Sequence, residues 1–367
     1  MSEIYVGLMS GTSMDGIDAA LVEFGDSSVN ILQTLEFDYP AALRTQLLDA
    51  IAIPVDEEID NVGELDIAVG ECFRDATLAL LGQPGADRSA VKAIGSHGQT
   101  LRHQPDAEEP FSLQIGDAQL IADATGITTI ADFRSADIAA GGQGAPLAPY
   151  FHEWLFRAPG TTRCVLNVGG VGNVTVIADG QETIGFDTGP GNSLMDAWIR
   201  KQQDKPFDRD GDWAASGDVD DELLQQFLSD PYFAFAPPKS TGFEHFNLRW
   251  IEGHDLHSIA PQDVQATLCA LSATTIADAI SDYAPGTSEV LVCGGGAHNP
   301  TLMELLANRL PDADVKPSSE AGLDPDWVEA VAFAWLAKRH LQGLPGNLPS
   351  VTGASAPAVL GRPFQPR

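Results

Sequence analysis

Two segments of the chain share one pattern, an apolar strand, a Gly-rich turn and a second apolar strand, and this repeat constrains the fold most. The first spans residues 4–24, IYVGLMSGTSMDGIDAALVEF, and the second spans residues 163–179, RCVLNVGGVGNVTVIAD. Apolar and β-branched runs on both sides of a turn rich in Gly, Asn or Asp predict a β-hairpin. The shared pattern, rather than residue identity, is the reason to expect two related domains.

The rest of the chain alternates between helical and strand patterns, which predicts an α/β fold. Helices are predicted over 65–82, 113–124, 192–203, 219–229 and 261–283, and short strands over 91–94 and 289–293. A length of 367 residues favours two domains. We place the first at 1–131 and the second at 132–339, with the Pro/Gly-rich tail at about 340–367 returning to the first.

The charge balance limits the partners. The sequence has 20 basic and 52 acidic residues, a net charge of −32, which argues against nucleic acid. No apolar run approaches the roughly 20 residues of a membrane helix, and the N-terminal residues lack the basic and apolar regions of a secretory signal. We therefore expect a cytoplasmic protein that binds a small molecule and no membrane.

Three Gly-rich turns are candidate nucleotide-binding elements, the first of them through phosphate. The first hairpin has the tip Ser10-Gly-Thr-Ser-Met-Asp-Gly16, the second has Asn167-Val-Gly-Gly-Val-Gly-Asn173, and Gly294–Gly296 joins a strand to a helix. Backbone N–H groups, hydroxyls and a carboxylate suit phosphate and Mg²⁺. Each turn alone could also be an ordinary hairpin turn, or a place where glycine relieves crowding between a strand and a helix. Only the three turns together, in this order, indicate a nucleotide site.

Over nearly the whole chain, the motifs resemble those of the anhydro-N-acetylmuramic acid kinase family. That family belongs to the superfamily that includes actin, hexokinase and the Hsp70 ATPase. The resemblance rests on GLMSGTSMDGIDAALVEF (7–24), GSHGQTLRH (95–103), ADFRSADIAAGGQGAPLAP (131–149), LNVGGVGN (166–173), GFDTGPGNSLMDAW (185–198), CGGGAHN (293–299) and VTGA (351–354). GTSMDG together with FDTGPGNSLMD is a highly specific combination. The match departs at Phe243, in KSTGFEHFN, where the family is expected to have a basic residue.

The resemblance implies an α/β fold of two actin-like (RNase H-like) domains with ATP in the interdomain cleft. Mg²⁺ would be held with ATP, near Asp15, rather than by the protein alone. A homodimer is implied only by the family. The matching positions assign nucleotide binding to Gly11, Thr12, Ser13, Met14, Asp15, Gly16, Ile17, Asp18, Gly169, Gly170, Gly294, Gly295 and Gly296.

Two carboxylates are candidate catalytic groups. Asp187 follows a predicted strand and precedes the turn Thr188–Gly191, so it is either an active-site group or the cap of the helix that begins near Asn192. The resemblance favours the role of catalytic base. Glu329 lies in an apolar helical run, where it would orient water, although an exposed helix position is its ordinary alternative.

Substrate contacts are expected at Ser10, Thr100 and Arg134. Arg134 is a cation in a strongly acidic chain and suits a planar pair with the lactyl carboxylate of the sugar, although an ion pair with Asp132 or Asp137 is the alternative.

The implied reaction opens 1,6-anhydro-N-acetylmuramic acid with water and phosphorylates O6, giving N-acetylmuramic acid 6-phosphate and ADP in the recycling of cell-wall sugars. Another 1,6-anhydrosugar kinase, such as one acting on levoglucosan, is the alternative, and a non-catalytic or chaperone-like ATPase is a third class.

Overall fold

The structure, a computed structural model, describes residues 2–11, 14–52, 59–243 and 245–367. The chain forms two compact units. One contains Met1–Leu155 and Trp327–Arg367, and the other contains Phe156–Asp326. The boundaries differ from those placed at 131/132 and 339/340, because residues 132–155 and the helix beginning at Val328 pack within the first unit.

The first unit is built on a mixed sheet. Its strands are β1 (Glu3–Met9), β2 (Gly16–Phe24), β3 (Val29–Asp38), β4 (Val91–Ser96), β5 (Gln99–Gln104), β6 (Phe111–Ile115), β7 (Thr129–Ala131) and, near the C-terminus, β13 (Arg362–Phe364). Its helices are α1 (Ala41–Ala52), α2 (Ile59–Leu81), α3 (Ala118–Thr125), α4 (Arg134–Ala139), α5 (Ala148–Phe156), which ends at the boundary, α12 (Val328–Leu341) and α13 (Pro349–Thr352). The strand order of the main sheet is β13-β7-β4-β1-β2-β3, and β5 and β6 form a separate hairpin.

The second unit has strands β8 (Thr162–Val168), β9 (Val171–Ala178), β10 (Ile184–Pro190), β11 (Glu289–Cys293) and β12 (Asp314–Pro317). Its helices are α6 (Ser193–Gln203), α7 (Asp212–Ala215), α8 (Asp221–Leu228), α9 (Leu248–Glu252), α10 (Pro261–Tyr283) and α11 (Pro300–Arg309). The strand order is β10-β9-β8-β11-β12.

The two main sheets have the same topology. In each, the first three strands are antiparallel and the next two are parallel: β3-β2-β1-β4-β7 in one unit matches β10-β9-β8-β11-β12 in the other. The repeated hairpin read from the sequence is therefore the start of a repeated domain. This topology confirms the α/β prediction and is the one that an actin-like, RNase H-like fold requires.

Helix α12 lies directly on the sheet of the first unit, and glycine makes that approach possible. A Cβ atom at Gly7 would lie 1.8 Å from the carbonyl oxygen of Ala330, and one at Gly95 would lie 2.1 Å from that of Phe333. Any side chain at either position would force α12 away from β1 and β4. The helix is thus fixed over β1 and β4, and Glu329 lies in its first turn.

The long helix α10 forms the centre of the second unit's core, where Leu268, Leu271 and Ile276 are buried. It is also long and apolar enough, by length and composition alone, to cross a membrane, with 89% of its most apolar window buried inside the structure. Burial in a protein core accounts for that composition.

Most of the predicted elements agree with the structure, but α2 begins earlier than predicted, β10 continues through Asp187, and one predicted helix is partly a strand. Residues 113–115 belong to strand β6 rather than to a helix, and α3 begins at Ala118, where Asp117 caps it by accepting a hydrogen bond from the Gln119 N–H at 2.8 Å. The prediction was wrong there because Leu113 and Ile115 fit the apolar pattern of the helix that follows, although they lie in a strand.

Candidate active site

Hydrogen bonds from side chains hold the tip of the first hairpin. Ser10 Oγ lies 2.6 Å from the Gly16 carbonyl oxygen and 2.7 Å from Gln99 Oε1, so its single proton can serve either acceptor. Gln99 Nε2 donates to the Gly11 carbonyl oxygen at 3.1 Å. Gln99, which is 1% exposed, therefore holds the first end of the tip, at Ser10 and Gly11, and Ser10 Oγ is the group that reaches Gly16 at the other end. These contacts place Ser10, predicted to bind substrate, at the base of the hairpin.

The remaining residues of this tip divide between backbone and side-chain roles. Met14 and Ile17 are buried in the first unit's core, so only their backbone can face a ligand. Asp15 is exposed and Asp18 is half-buried, and both carboxylates lie on the tip or at the start of β2. Thr12 and Ser13, predicted to bind nucleotide, lie outside the described residues.

In the second unit the glycines of the corresponding tip are held through backbone hydrogen bonds, and the side chains of Asn192 and Thr188 donate to the Val168 and Gly172 carbonyls, each at 3.0 Å. The Gly169 carbonyl accepts from the Asn192 N–H at 2.8 Å, and the Gly170 carbonyl accepts from Gly191 N–H at 2.8 Å and Ser193 N–H at 3.1 Å. The start of α6 thus fixes the turn. Sequence reasoning predicted the glycines but missed this partner, which the motif GPGNS contains.

The third Gly-rich turn packs against that same tip. Gly294 has φ +74°, and a Cβ there would lie 2.4 Å from Asn167 Oδ1. A Cβ at Gly296 would lie 2.5 Å from Val168, and Asn192 is the side chain nearest to Gly295. Two of the three predicted nucleotide elements therefore meet within the second unit.

Asp187 lies inside β10, at an irregularity, and not after a strand as predicted. The register of β10 against β9 shifts between Asp187 and Gly189, and such a bulge re-aims a side chain. Asp187 Oδ2 accepts from the Thr241 N–H at 3.0 Å. The N-cap position of α6 is filled by Asn192, so the capping alternative does not describe this helix.

The segment around Lys239 and Tyr232 holds Asp187 from two further directions. The Asp187 N–H donates to the Lys239 carbonyl at 3.1 Å, and the Tyr232 hydroxyl donates to the Asp187 carbonyl at 2.9 Å. Burial and then the charge of Asp187 raise the pKa of Tyr232, so the phenol stays protonated and donates. The Lys239 ammonium lies 4.7 Å from the Tyr232 ring centroid, and burial lowers its pKa while Asp187 opposes that shift.

The predicted substrate residues of the first unit lie in two polar contacts. Arg134, the first residue of α4, places Nη2 2.9 Å from His97 Nε2. Thr100 Oγ1 accepts from Gln114 Nε2 at 3.1 Å, across the β5–β6 hairpin. Neither His97 nor Gln114 was assigned a function from the sequence, and the signal for His97 was its place in the motif GSHGQT.

Two other positions named in the sequence analysis are partly or largely exposed to solvent. Glu329 is half-buried in the first turn of α12, between the buried residues Val328 and Ala330. Phe243, the departure from the expected motif, is 59% exposed, and only its carbonyl has a described contact, from Asn247 Nδ2 at 3.0 Å.

The acidic residues fit a magnesium ion that comes with a nucleotide. Among the residues that the structure describes, no group of three or more His, Cys, Asp or Glu side chains could hold a metal ion. Mg²⁺ commonly keeps several waters and uses one or two carboxylates together with substrate phosphates. Asp15 and Asp18, beside the first tip, supply carboxylates of that kind.

Two repeated α/β units with Gly-rich tips on equivalent hairpins define the class of the actin-like ATPases and sugar kinases. The sequence profile described as anhydro-N-acetylmuramic acid kinase matches residues 3–366. Two relatives with that name are from Shewanella halifaxensis, 53% identical over 97% of both chains, and from Vibrio cholerae, 48% identical over 99% of both. The chain belongs to the anhydro-N-acetylmuramic acid kinase family.

Among solved structures, the activator of the 2-hydroxyisocaproyl-CoA dehydratase from Clostridium difficile is similar with a TM-score of 0.47 and 11% identity, over 92% of this chain and 96% of that one.

Proposed function

We propose that the chain is an ATP-dependent kinase that opens 1,6-anhydro-N-acetylmuramic acid with water and phosphorylates it at O6. The products are N-acetylmuramic acid 6-phosphate and ADP. Full-length membership of the family supports the reaction. The observation that carries it to particular residues is the carboxylate of Asp187, held at the β10 bulge by the Thr241 N–H.

Asp187 acts as the general base. It takes a proton from the water that attacks the anomeric carbon, the bond from that carbon to the bridging oxygen breaks, and the released O6 attacks the γ-phosphorus. One carboxylate can start both events because the nucleophilic oxygen forms only as the bridge opens. The donated hydrogen bond from Thr241 fixes one carboxylate oxygen and so orients the other. Glu329 is proposed to orient the attacking water.

The Gly-rich turns are proposed to hold the nucleotide. Glycine has no side chain, so the backbone at the glycines of these turns can approach the nucleotide closely, and amides aimed at developing charge stabilise phosphoryl transfer. Mg²⁺, when bound with ATP near Asp15, neutralises charge on the phosphate oxygens. Arg134 is proposed to pair with the lactyl carboxylate of the sugar.

The test is product analysis with ATP and Mg²⁺ in ¹⁸O-labelled water. We expect the sugar 6-phosphate and ADP in equal amounts, with label at C1 of the sugar and none in the transferred phosphate. Levoglucosan, which lacks the lactyl and acetamido groups, should be a far poorer substrate. Labelled phosphate, or turnover of levoglucosan alone, would contradict the proposal. The homodimer, the cytoplasmic location, the interdomain position of ATP and the role in cell-wall recycling stay predictions.

A further inference from the structure

Asp187 lies in the edge strand of the second unit's sheet, and a loop segment supports it from outside the sheet. β10 is the terminal strand and pairs with β9 on one side. The Asp187 N–H donates to the Lys239 carbonyl at 3.1 Å, and the Tyr232 hydroxyl donates to the Asp187 carbonyl at 2.9 Å. Both backbone polar groups of the proposed base are therefore bonded to residues outside the sheet.

The donor to the Asp187 carbonyl is the end of a side chain. A carbonyl in an edge strand is usually satisfied by a backbone N–H or by water. Here the position of the Asp187 backbone depends instead on where one phenol ring lies. The register of β10 against β9 also shifts between Asp187 and Gly189, so regular strand pairing does not continue through this point. The hydroxyl supports the strand where its own ladder is irregular.

Tyr232 is itself fixed from several directions. It is 4% exposed, its N–H donates to Asp230 Oδ1 at 2.9 Å, and its ring packs edge-on against the ring of Phe246 at 5.5 Å. The Lys239 ammonium lies 4.7 Å from the centroid of the same ring. Lys239 therefore contacts both Asp187, through its carbonyl, and the ring whose hydroxyl donates to Asp187. A ring held in this way directs its hydroxyl to one place.

Asp230 anchors the start of this segment. Its Oδ2 accepts from Trp250 Nε1 at 2.8 Å and lies 3.0 Å from His245 Nε2, while Oδ1 accepts from the Tyr232 N–H. Burial disfavours the ionised carboxyl, but these hydrogen bonds outweigh burial and lower the pKa of Asp230, so it remains an acceptor. A continuous set of contacts thus joins α9, which contains Trp250, to the proposed base.

We infer that Tyr232 is a positioning residue for the reaction: its hydroxyl fixes the Asp187 backbone and thereby sets the place of the carboxylate that acts as base. The inference rests on the proposed function for the role of Asp187. Because Tyr232 acts through Asp187, its loss should slow the chemical step rather than weaken the binding of ATP or sugar. A displacement of about 1 Å can lower a rate about 100-fold, since proton transfer requires hydrogen-bond reach.

The first test is Tyr232→Phe, which keeps the ring and its packing and removes only the hydroxyl. We expect kcat for 1,6-anhydro-N-acetylmuramic acid to fall about 5- to 20-fold, with the KM for ATP and for the sugar within about twofold of the wild type. Tyr283→Phe is the matched control. It removes the same atom from a ring that lies 5.1 Å from that of Phe186, the residue before Asp187, and it should leave kcat within about twofold.

A double-mutant cycle distinguishes positioning of the base from general support of the fold. In the Asp187→Asn background, Tyr232→Phe should lower the residual kcat by less than about twofold, because the base that it positions is gone. The same fall of kcat in both backgrounds, or a raised KM with an unchanged kcat, would overturn the inference. Either result would leave the proposed function intact.

A further measurement does not depend on turnover. Hydrogen exchange at the Asp187 amide should be about tenfold faster in Tyr232→Phe, whereas exchange in the central strand β8 should not change. In the wild type the Tyr232 hydroxyl proton should exchange slowly enough to be observed by NMR, because it is buried and donated.

A rapidly exchanging Tyr232 hydroxyl in the wild type would overturn the inference even if Tyr232→Phe failed to fold. If the wild type did not phosphorylate the anhydrosugar, the proposed function would fail and the catalytic importance of Tyr232 with it. Exchange at the Asp187 amide would still decide whether Tyr232 holds the strand, so the two failures are distinguishable.

Discussion

The two hairpin tips occupy equivalent places in equivalent sheets, yet they are held in different ways. In the first unit side chains hold the tip: Gln99 contacts Ser10 and Gly11 at its first end, and Ser10 Oγ reaches the Gly16 carbonyl at its other end. In the second unit the carbonyls of Gly169 and Gly170 accept from backbone N–H groups at the start of α6. A duplicated fold has therefore kept its topology while exchanging the chemistry that supports its loops.

The same contrast extends to the proposed catalytic groups. The carboxylate of Asp187, in the second unit, accepts from the Thr241 backbone N–H, while its own N–H and carbonyl contact the Lys239 carbonyl and the Tyr232 hydroxyl. Arg134, in the first unit, contacts the side chain of His97. Loss of the Gln99 side chain should therefore disturb the first tip, whereas loss of the Thr241 side chain should leave the hydrogen bond to the Asp187 carboxylate in place.

The largest expected effect is on turnover in Asp187→Asn. Asn keeps the shape and can still accept from the Thr241 N–H, but it cannot take a proton from water, so turnover should fall about 10²- to 10⁴-fold. Ring opening and phosphorylation should fall together. Nucleotide affinity, measured by calorimetry, should stay within about threefold of the wild type, since the change leaves the Gly-rich turns intact.

Near-normal turnover in Asp187→Asn would remove the residue from the role of base. Thr241→Ala is the control, because it keeps the backbone N–H that holds Asp187 and removes only the side chain. It should retain most of the activity if the contrast between backbone and side-chain support is correct.

The next largest effect is on stability, and its test compares substitutions at two glycines of the second unit. Gly294→Ala places a Cβ at φ +74° and 2.4 Å from Asn167 Oδ1, so the free energy of unfolding should fall by at least about 1–3 kcal/mol. Gly169→Ala meets only the Val171 carbonyl oxygen at 3.8 Å, so stability should change by less than about 0.5 kcal/mol. Urea unfolding of both variants decides this. Equal losses of unfolding free energy in the two variants would mean that the space available for a Cβ atom does not determine the effect.

A smaller effect is expected at the first tip. Gln99→Met keeps the volume but removes both hydrogen bonds of the amide, so the KM for ATP should rise about tenfold through a loosened tip. Ser10→Ala removes the hydroxyl that donates to Gln99 or to the Gly16 carbonyl, and it should raise this KM less because the bond from Gln99 to Gly11 stays. Steady-state kinetics over a range of ATP concentrations separates the two variants, and an unchanged KM in Gln99→Met would mean that the tip does not need its side-chain support.

Much of the fold could be predicted from the sequence, because the strands and helices near the site are long and strongly patterned. The 261–283 helix and the 289–293 strand were predicted at their observed bounds. The repeated hairpins were predicted because apolar runs around Gly leave few other local structures. The bulge at Asp187 was not, since it depends on pairing with β9 and leaves no mark in the composition of β10.

The support of the site could be predicted less well, for a physical reason. Gln99, His97 and Thr241 act through contacts between residues far apart in sequence, and a polar residue in a turn has the same local appearance whether it holds a loop or faces water. Asp137 is the clearest example of a contact that the sequence could not predict. It was considered as an ion-pair partner of Arg134, but its carboxylate instead joins α4 to the VTGA segment through Thr352.

The last expected effect concerns acid, and it again separates the two units. Burial lowers the pKa of both His97 and His152, in the first unit, to about 3 from an ordinary value of 6.5. As the pH falls below 6.5, the unfolded chain binds a proton at each of these residues while the folded chain does not until about pH 3. Stability is therefore fully present above pH 6.5 and is lost on acidification, by up to about 1.4 kcal/mol per pH unit for each histidine. Urea midpoints at pH 6.5 and pH 5 should show this loss, and His152→Gln should reduce its slope by about one proton. Hydrogen exchange should detect the loosening in the first unit before the second. A slope that His152→Gln leaves unchanged would mean that the buried imidazole is not neutral in the folded protein.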